Sequence, residues 1–307
     1  MPRSYPPVSF IGVPTDIGAG HRGASLGPEA LRIAGLAEAL AGRGIGVRDC
    51  GNLAGPANPW LPPEAGYRHL DQVVAWNGAL MEASLRELRA GRMPVMLGGD
   101  HCLAIGSITA VARHCRETGK KLRVLWLDAH ADFNTSDVTP SGNVHGMPVA
   151  CLCGLGPEAL TRLGGDAPAL QPGQIRQIGI RSVDPEEKRL VKQHGLDIYD
   201  MRYIDEVGMK RVMAQALDGV DADTHLHVSF DVDFLDPGIA PGVGTTVPGG
   251  PNYREAQLVM EMIADTGRMA SLDIVELNPV LDDHNITAEL AVDLVESLFG
   301  KSTLMRD

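Results

Sequence analysis

The sequence has little positive charge, since 27 Lys and Arg residues stand against 39 Asp and Glu residues and give a formal net charge of -12. A chain this acidic is not typical of proteins that bind nucleic acid. The sequence also lacks an apolar stretch long enough to cross a bilayer, and residues 1–7 do not have the layout of a signal peptide. We therefore predict no nucleic-acid or membrane partner, and the cytoplasm as the compartment.

Cysteine is scarce and irregularly spaced. The five cysteines are an odd number, and they lack the paired spacing that is typical of zinc sites. We expect reduced thiols throughout. Cys151 and Cys153, which stand too close together for a good metal motif, are predicted to be buried and inert.

Apolar runs of strand length alternate with segments of helical periodicity along all 307 residues, and no linker, repeat or low-complexity tract interrupts them. Strands are predicted at 8–13, 45–48, 94–97, 124–127, 175–180, 196–199, 226–230 and 270–275. Helices are predicted at 27–32, 67–89, 103–118, 185–194, 209–217, 253–264 and 287–298. About eight strands interleaved with helices indicate a single three-layer α/β domain over residues 1–307 with a mostly parallel sheet. A TIM barrel would share this count, so the strand order stays open.

Residue types that ligate metal ions follow three of the predicted strands. After the run 124–127 they stand at alternate positions, and a strand's period of two would turn them to one side. The six residues are Asp128, His130 and Asp132 after this run, Asp231 and Asp233 after 226–230, and His101 after 94–97. A single Asp at such a place is more often a helix cap or a turn residue. Four carboxylates at one sheet edge would repel one another, so the set favours two divalent cations.

Several spaced blocks of sequence resemble the arginase family, also known as the ureohydrolases. The blocks are Gly98 to His101, Asp128 to Asp132, Ser141 to Gly146 and Ser229 to Pro237, with shorter matches at 13–16, 22–23, 27–28 and 273–279. They occur in the family's order and cover nearly the whole chain. The resemblance implies a three-layer α/β/α arginase-like fold. It also implies a binuclear manganese hydrolase that converts L-arginine and water to L-ornithine and urea through a hydroxide between the ions, in arginine catabolism.

The same resemblance assigns the metal ligands. One Mn²⁺ would be held by His101, Asp128, Asp132 and Asp231. The other would be held by His130, Asp128, Asp231 and Asp233, so that Asp128 and Asp231 bridge two ions per chain. A donor set rich in carboxylate oxygen, with few imidazoles and no thiolate, suits Mn²⁺.

Two further residues are implied to act on the reacting group. His145 matches the family histidine that carries a proton to the leaving amine, and an unperturbed imidazole pKa near neutrality suits that task. Glu276 matches the carboxylate that holds the guanidinium of the substrate, which it can grip through two parallel N–H bonds.

The amino-acid end of the substrate is assigned to a polar loop. Asn134, Ser141 and Asn143 match the contacts to the α-carboxylate, and Asp184 matches a contact to the α-amino group. Thr245 is a further candidate for the substrate site and, with Asp273, for a supporting position behind it. Ser182 departs from the animal members of the family, which carry Asp there.

Two alternatives keep the same six metal ligands. A sister ureohydrolase would act on agmatine or a guanidino acid and would differ in the 134–145 loop, whereas the form of the block 141–146 favours arginase. A catalytically silent, metal-stabilised binding protein would need neither His145 nor Glu276. The family implies a homotrimer or homohexamer, although this sequence ends soon after the last predicted helix, without the tail of the animal trimers.

Overall fold

One parallel sheet organises residues 5–304, the part of the chain that the computed structural model describes. Its strands are β1 Val8–Gly12, β2 Val47–Asn52, β3 Met93–Leu97, β4 Lys121–Leu127, β5 Ile175–Ile180, β6 Asp197–Asp200, β7 Thr224–Asp231 and β8 Met269–Val275. They lie in the order β2-β1-β3-β8-β7-β4-β5-β6, and every neighbouring pair is parallel. Because β2 and β6 are free edges, the sheet is open and the barrel alternative is excluded.

Helices cover both faces of the sheet. They are α1 Gly27–Ile33, α2 Leu36–Gly42, α3 Leu70–Arg89, α4 Ala104–Thr118, α5 Pro148–Leu152, α6 Glu158–Thr161, α7 Pro185–His194, α8 Met201–Val207, α9 Met209–Ala216, α10 Tyr253–Thr266 and α11 Ile286–Leu298. Helices α3 to α7 pack on one face, and α1, α2 and α8 to α11 pack on the other. The three-layer α/β/α prediction is therefore confirmed.

Burial on both faces explains the composition of the strands. All residues of β1, β3 and β7 are buried, as expected for parallel strands that lie between two helical layers. The apolar core is consequently split into clusters above and below the sheet. None of the helices in residues 5–304 has the length and apolarity that a membrane span requires.

The bounds of several elements differ from the sequence-based prediction. Helix α3 begins at Leu70 rather than at 67, because Gly66 and His69 adopt left-handed backbone angles with φ of 77° and 52°. Strand β2 begins two residues late, since the N–H of Ile45 still donates to the carbonyl of Leu40 at the end of α2. The short helices α2, α5, α6 and α8 were not predicted.

All five cysteines are free thiols. Cys151 is buried and Cys153 is half-buried, and burial raises the pKa of each to about 12. Both are therefore protonated and unreactive at neutral pH, as the sequence predicts.

Candidate active site

Two clusters of side chains meet at the carboxyl edge of the four central strands β3, β8, β7 and β4. In the first, Nδ1 of His101 lies 3.0 Å from Oδ2 of Asp128, 3.0 Å from Oδ2 of Asp231 and 3.2 Å from Oδ2 of Asp132. All four side chains are buried. One imidazole nitrogen and three carboxylate oxygens thus face a common point.

The second cluster uses the other oxygen of Asp128. Nδ1 of His130 lies 3.4 Å from Oδ1 of Asp128 and 3.0 Å from Oδ2 of Asp233. The ligand atoms of each group, His101 with Asp128 and Asp231, and Asp128 with His130 and Asp233, lie within 4.8 Å of one another. Asp128 therefore joins two adjacent candidate metal sites.

The backbone reaches this arrangement by a different route from the predicted one. His130 continues the extended path of β4 and forms a parallel bridge to Ser182, but Asp132 turns into the left-handed region with φ of 50°. Asp233 lies in a 3-10 turn, Val232–Phe234. At the start of this turn, the N–H of Asp233 donates to Oδ1 of Asp231 at 2.8 Å. The predicted period of two was therefore wrong at Asp132, although all six side chains reach the same centre.

Neighbouring side chains fix the orientation of the ligands. The indole of Trp126 stacks on the His101 ring with centroids 4.0 Å apart, and its N–H donates to Oδ2 of Asp128 at 2.8 Å. On the far side of the His101 ring, Nε2 lies 2.9 Å from Oγ of Ser229. Such contacts behind a ligand hold its other nitrogen toward the metal position.

The donor atoms of the site fit divalent cations. Nδ1 of His101 is buried and, despite its close carboxylate neighbours, has no partner with hydrogen-bond geometry among the described residues. Burial and the charges of Asp233 and Asp128 raise the pKa of Asp231 well above its ordinary range. Buried carboxylates at this density must bind either protons or cations, and two divalent ions would balance four carboxylates.

A cavity of about 240 Å³ opens onto the two clusters. Its walls include every predicted substrate residue as well as five of the six predicted metal ligands, while Asp128 lies fully buried beneath them. The predicted substrate residues are Asn134, Ser141, Asn143, Asp184, Thr245 and Glu276, and the predicted proton donor His145 lines the cavity with them. This volume suits one small molecule next to the metal positions.

Glu276 and His145 form a pair at the floor of this cavity. Glu276 follows β8 with φ of 63°, a strained conformation for a residue other than glycine. Its Oε1 accepts the backbone N–H of His101 at 2.8 Å and lies 3.0 Å from Nδ1 of His145. A guanidinium that bound Glu276 through both oxygens would therefore share Oε1 with these two groups.

The charge of His145 follows from this contact. Burial alone would lower the pKa of His145, but Glu276 and, to a lesser extent, Asp100 and Asp132 raise it to about 9. With the protein's own charges, the ring is cationic at neutral pH and is in the form that donates a proton. Divalent cations at the nearby carboxylates would lower this pKa toward neutrality.

The cavity lining also includes the amide, hydroxyl and carboxylate groups of Asn134, Asp184, Ser141 and Asn143. Nδ2 of Asn134 donates to Oδ2 of Asp184 at 3.1 Å, and this leaves the buried Oδ1 of Asn134 without a partner among the described residues. This geometry sets Asn134 beside Asp184 as an acceptor, whereas the resemblance assigned it to the carboxylate. Ser141 and Asn143 also line the cavity, and Oγ of Ser141 accepts the N–H of Asn143 at 3.2 Å.

The two supporting candidates behave differently. Thr245 donates from Oγ1 to Oδ2 of Asp233 at 2.9 Å and lines the cavity. Asp273 does not line it. The Asp273 carboxylate instead accepts a short hydrogen bond from Ser107 and lies 3.2 Å from Nε2 of His227, inside the sheet and helix packing. Ser182, the departure from the animal pattern, lies in the cavity wall.

Sequence reasoning missed one charged residue of the cavity, Glu187. Its carboxylate accepts the N–H of Phe133 at 2.8 Å and the N–H of Asp184 at 3.0 Å, and burial raises its pKa. The available signal was the capping box at the start of α7, where Asp184 is the N-cap and Glu187 is the third helical residue. Glu187 thereby ties the 132–134 turn to the start of α7.

Fold and site together define an α/β protein with a candidate two-metal centre at the carboxyl edge of an open parallel sheet. A sequence profile of the arginase family matches residues 6–300, and the chain belongs to that family. The arginase of Brucella melitensis biotype 1 is 48% identical over 301 residues, which make up 97% of each chain. These findings confirm the resemblance and the predicted enzyme class, an amidinohydrolase of the arginase type.

Solved structures agree with this assignment. The arginase from Bacillus caldovelox matches with a TM-score of 0.92 and 42% identity, over 97% of this chain and 100% of that one. The arginase of Entamoeba histolytica, solved in complex with L-ornithine, matches with a TM-score of 0.87 and 30% identity, over 97% of this chain and 99% of that one. The similarity therefore extends through the whole sheet and both helical layers.

Proposed function

We propose that the protein hydrolyses L-arginine to L-ornithine and urea with two Mn²⁺ ions per chain. The observation that carries this proposal is the pair of ligand clusters that share Asp128 at the floor of a cavity lined by Glu276 and His145. His101, Asp132 and Asp231 would complete one ion site with Asp128, and His130, Asp231 and Asp233 would complete the other. When bound, the two ions would supply Lewis acidity and lower the pKa of water enough to give a nucleophile at neutral pH.

The chain's own residues orient the substrate. Glu276 is buried, and its pKa lies below the ordinary range because His145 and the N–H of His101 outweigh the effect of burial. An ionised carboxylate at this position binds a guanidinium and sets its carbon toward the ligand clusters. Asp184 and the free Oδ1 of Asn134 can accept from the α-ammonium, and Ser141 and Asn143 can donate to the α-carboxylate.

His145 provides the proton that the reaction needs. Addition of water to the guanidinium carbon forms a new C–O bond, and cleavage of the C–N bond then releases ornithine. The departing nitrogen must take up a proton, because an amide anion is a poor leaving group. His145 lies on the cavity wall beside Glu276, and its protonated ring can donate at this step and recover the proton from the incoming water.

Substrate selectivity gives the test of the proposal. Agmatine keeps the guanidinium but lacks the α-carboxylate, so it would leave donors of Ser141 and Asn143 unpaired. Ser141 is exposed and Asn143 is half-buried, and each such group that a bound ligand covers and leaves without a partner costs about 1–3 kcal/mol, which implies discrimination on the order of 10³-fold in kcat/KM. We expect urea release from L-arginine, stimulated by Mn²⁺, to exceed release from agmatine by that factor. Equal kcat/KM values would instead indicate a ureohydrolase for another guanidine.

Other features of the proposal come from the family rather than from this cavity. They are a role in arginine catabolism, a cytoplasmic location and assembly as a homotrimer or homohexamer. Size-exclusion chromatography with light scattering measures the assembly, and a monomer would contradict it.

A further inference from the structure

Arg68 lies outside the substrate cavity and is connected to it by a hydrogen bond to the side-chain amide of Asn143. Its Nε donates to Oδ1 of Asn143 at 2.7 Å, and its Nη1 donates to the carbonyl of Leu61 at 3.0 Å. Asn143 is part of the cavity wall, whereas Arg68 is not. The guanidinium therefore occupies the acceptor end of the Asn143 amide, so Nδ2, which lies next to Gly20, is the end of this amide that can donate to a ligand.

The contact is one of several between residues 61–68 and the loop 139–143. The backbone N–H of Arg68 donates to the carbonyl of Gly142 at 2.8 Å, and Glu64 and Tyr67 close the turn before Arg68 with two backbone hydrogen bonds of 2.9 Å. Gly142 has φ of 70°, and a Cβ there would lie 2.6 Å from Cβ of Pro63. Residues 61–68 and the loop 139–143 are thus held together by backbone as well as side-chain contacts.

The positive charge of Arg68 matters because the cavity is lined by acidic side chains. Six carboxylates line the cavity, while no Lys or Arg side chain does so in the described chain. They are Asp132, Asp184, Glu187, Asp231, Asp233 and Glu276. The two ions of the proposed function would balance Asp132, Asp231 and Asp233. Asp184, Glu187 and Glu276 would remain to repel an α-carboxylate, and the guanidinium of Arg68 offsets that repulsion from behind Asn143. A hydrogen bond from a cation also polarises the amide, so that its N–H groups become stronger donors.

We propose that Arg68 is a positioning residue that makes the cavity select guanidines with an α-carboxylate, by fixing and polarising the Asn143 amide. This inference rests on the proposed function, because it assumes that Asn143 faces the carboxylate of the substrate. Arg68 touches neither the guanidinium nor the ligand clusters. Its loss therefore affects binding of the head group and leaves the chemical step unchanged.

The test compares ligands that differ only in the carboxylate. Arg68→Met should raise KM for L-arginine and Ki for L-ornithine by roughly 10- to 100-fold, because the α-carboxylate loses the cation that positions and polarises its donor. The kcat for L-arginine and the Ki for putrescine, which lacks the carboxylate, should stay within about threefold. Arg68→Lys keeps the charge with a single donor group, and its KM and Ki values should lie between those of the unmodified enzyme and those of Arg68→Met.

Two controls separate this role from a general loss of structure. Arg254→Met removes another arginine that donates to an amide oxygen, that of Gln257 in α10, where neither residue lines the cavity; it should leave both Ki values unchanged. In an Asn143→Ala background, Arg68→Met should weaken ornithine binding no further, because Arg68 acts through Asn143.

The outcomes distinguish this inference from the proposed function. If the unmodified enzyme releases no urea from L-arginine, both are overturned. If it releases urea but Arg68→Met weakens ornithine and putrescine equally, or weakens neither, only the inference on Arg68 is overturned. A full effect of Arg68→Met in the Asn143→Ala background would overturn it as well.

Discussion

At the scale of single residues, the contact between His145 and Glu276 would link substrate binding to proton transfer in the proposed mechanism. That mechanism needs both groups in their charged forms, and each stabilises the charge of the other across 3.0 Å. A substrate guanidinium that binds Glu276 would compete with His145 for Oε1. The incoming cation would thus lower the pKa of His145 and make the ring a stronger acid at the step that needs a proton.

This arrangement predicts a specific defect for His145→Ala. Without the proton donor, kcat should fall by roughly 10²–10⁴-fold, because general acid catalysis contributes about that much. Metal content, measured by mass spectrometry, and the affinity for L-ornithine should stay close to those of the unmodified enzyme. His284→Ala, which removes a histidine with a side chain 92% exposed, should be neutral. Unchanged turnover in His145→Ala would mean that His145 is only a loop residue.

Residue types alone predicted the candidate ligand set, because few other roles need four carboxylates and two imidazoles at three strand ends. The orientation of Asn134 could not be predicted in this way, since it depends on the tertiary hydrogen bond to Asp184. Glu187 was missed for a similar reason. Its position in the sequence is that of an ordinary carboxylate at the start of a helix, and only the tertiary contact to Phe133 places it near the cavity.

At the scale of elements, the link between β3 and His101 depends on a close backbone approach. A Cβ at Gly99 would lie 1.7 Å from the carbonyl oxygen of Thr15, a backbone atom that cannot move alone. The carbonyl of Gly99 also accepts the N–H of Glu276 at 2.8 Å. Gly99 therefore sets the positions of both His101 and Glu276 relative to the sheet.

Gly99→Ala should accordingly destabilise the fold and disturb the site. Overpacking against a fixed backbone atom costs about 3 kcal/mol, and we expect a lower Tm together with weaker metal retention. Gly78→Ala is the matched control. Gly78 lies inside α3, where an added Cβ would meet no packing neighbour within 4 Å, so alanine should raise stability by about 0.5–1 kcal/mol. Calorimetry measures both, and an unchanged Tm for Gly99→Ala would contradict the close approach.

The end of α3 is tied to the sheet by a buried carboxylate. Glu87 is 1% exposed, and it accepts from Nε of Arg92 at 2.7 Å and from Oγ of Ser9 in β1 at 2.8 Å. The hydrogen bond from Arg92 outweighs the effect of burial and lowers the pKa of Glu87 to about 2. A carboxylate with a depressed pKa stabilises the folded state above its unfolded pKa, and this contribution is lost as the pH falls through the folded value.

Glu87→Gln should therefore lower stability in a pH-dependent way. A fall in pKa from 4.5 to about 2 corresponds to roughly 3 kcal/mol, fully present at neutral pH and lost between about pH 4.5 and 2. The difference in Tm between this variant and the unmodified protein should shrink as the pH is lowered over that range. Glu117→Gln, at an exposed pair with Arg89, should show little difference at any pH. A difference in Tm that does not change with pH would refute the role of ionised Glu87.

Elements with strong local signals were predicted well, and those set by tertiary contacts were not. The bounds of β5 and α7 coincide with the prediction, since α7 begins at a proline after a capping aspartate and ends before a glycine with φ of 64°. The helices α5 and α6 are five and four residues long, too short to show helical periodicity. Their packing on the sheet, rather than their own sequence, stabilises them.

At the scale of the whole molecule, strand order assembles the site from distant parts of the chain. Strand β7 inserts between β4 and β8, so that Asp128 and Asp231 become neighbours although they are far apart in sequence. The alternation of strands and helices predicts a parallel sheet but contains no information on this order. The ligand clusters supply part of this information, because one metal centre requires the carboxyl ends of β3, β4 and β7 to lie close together at one edge of the sheet.

Because the ligands come from three strands, metal binding should stabilise the whole fold. Each ion that binds only the native state adds about 2.7 kcal/mol at a free concentration one hundred times its Kd, so chelation should lower Tm by roughly 10 °C and abolish urea release. Added Mn²⁺ should restore both, at close to two ions per chain. Asp128→Asn, which impairs the carboxylate shared by the two clusters, should reduce the change in Tm on chelation. One tightly held zinc ion per chain with full activity would contradict the two-manganese proposal, because the second ligand cluster would then have no role.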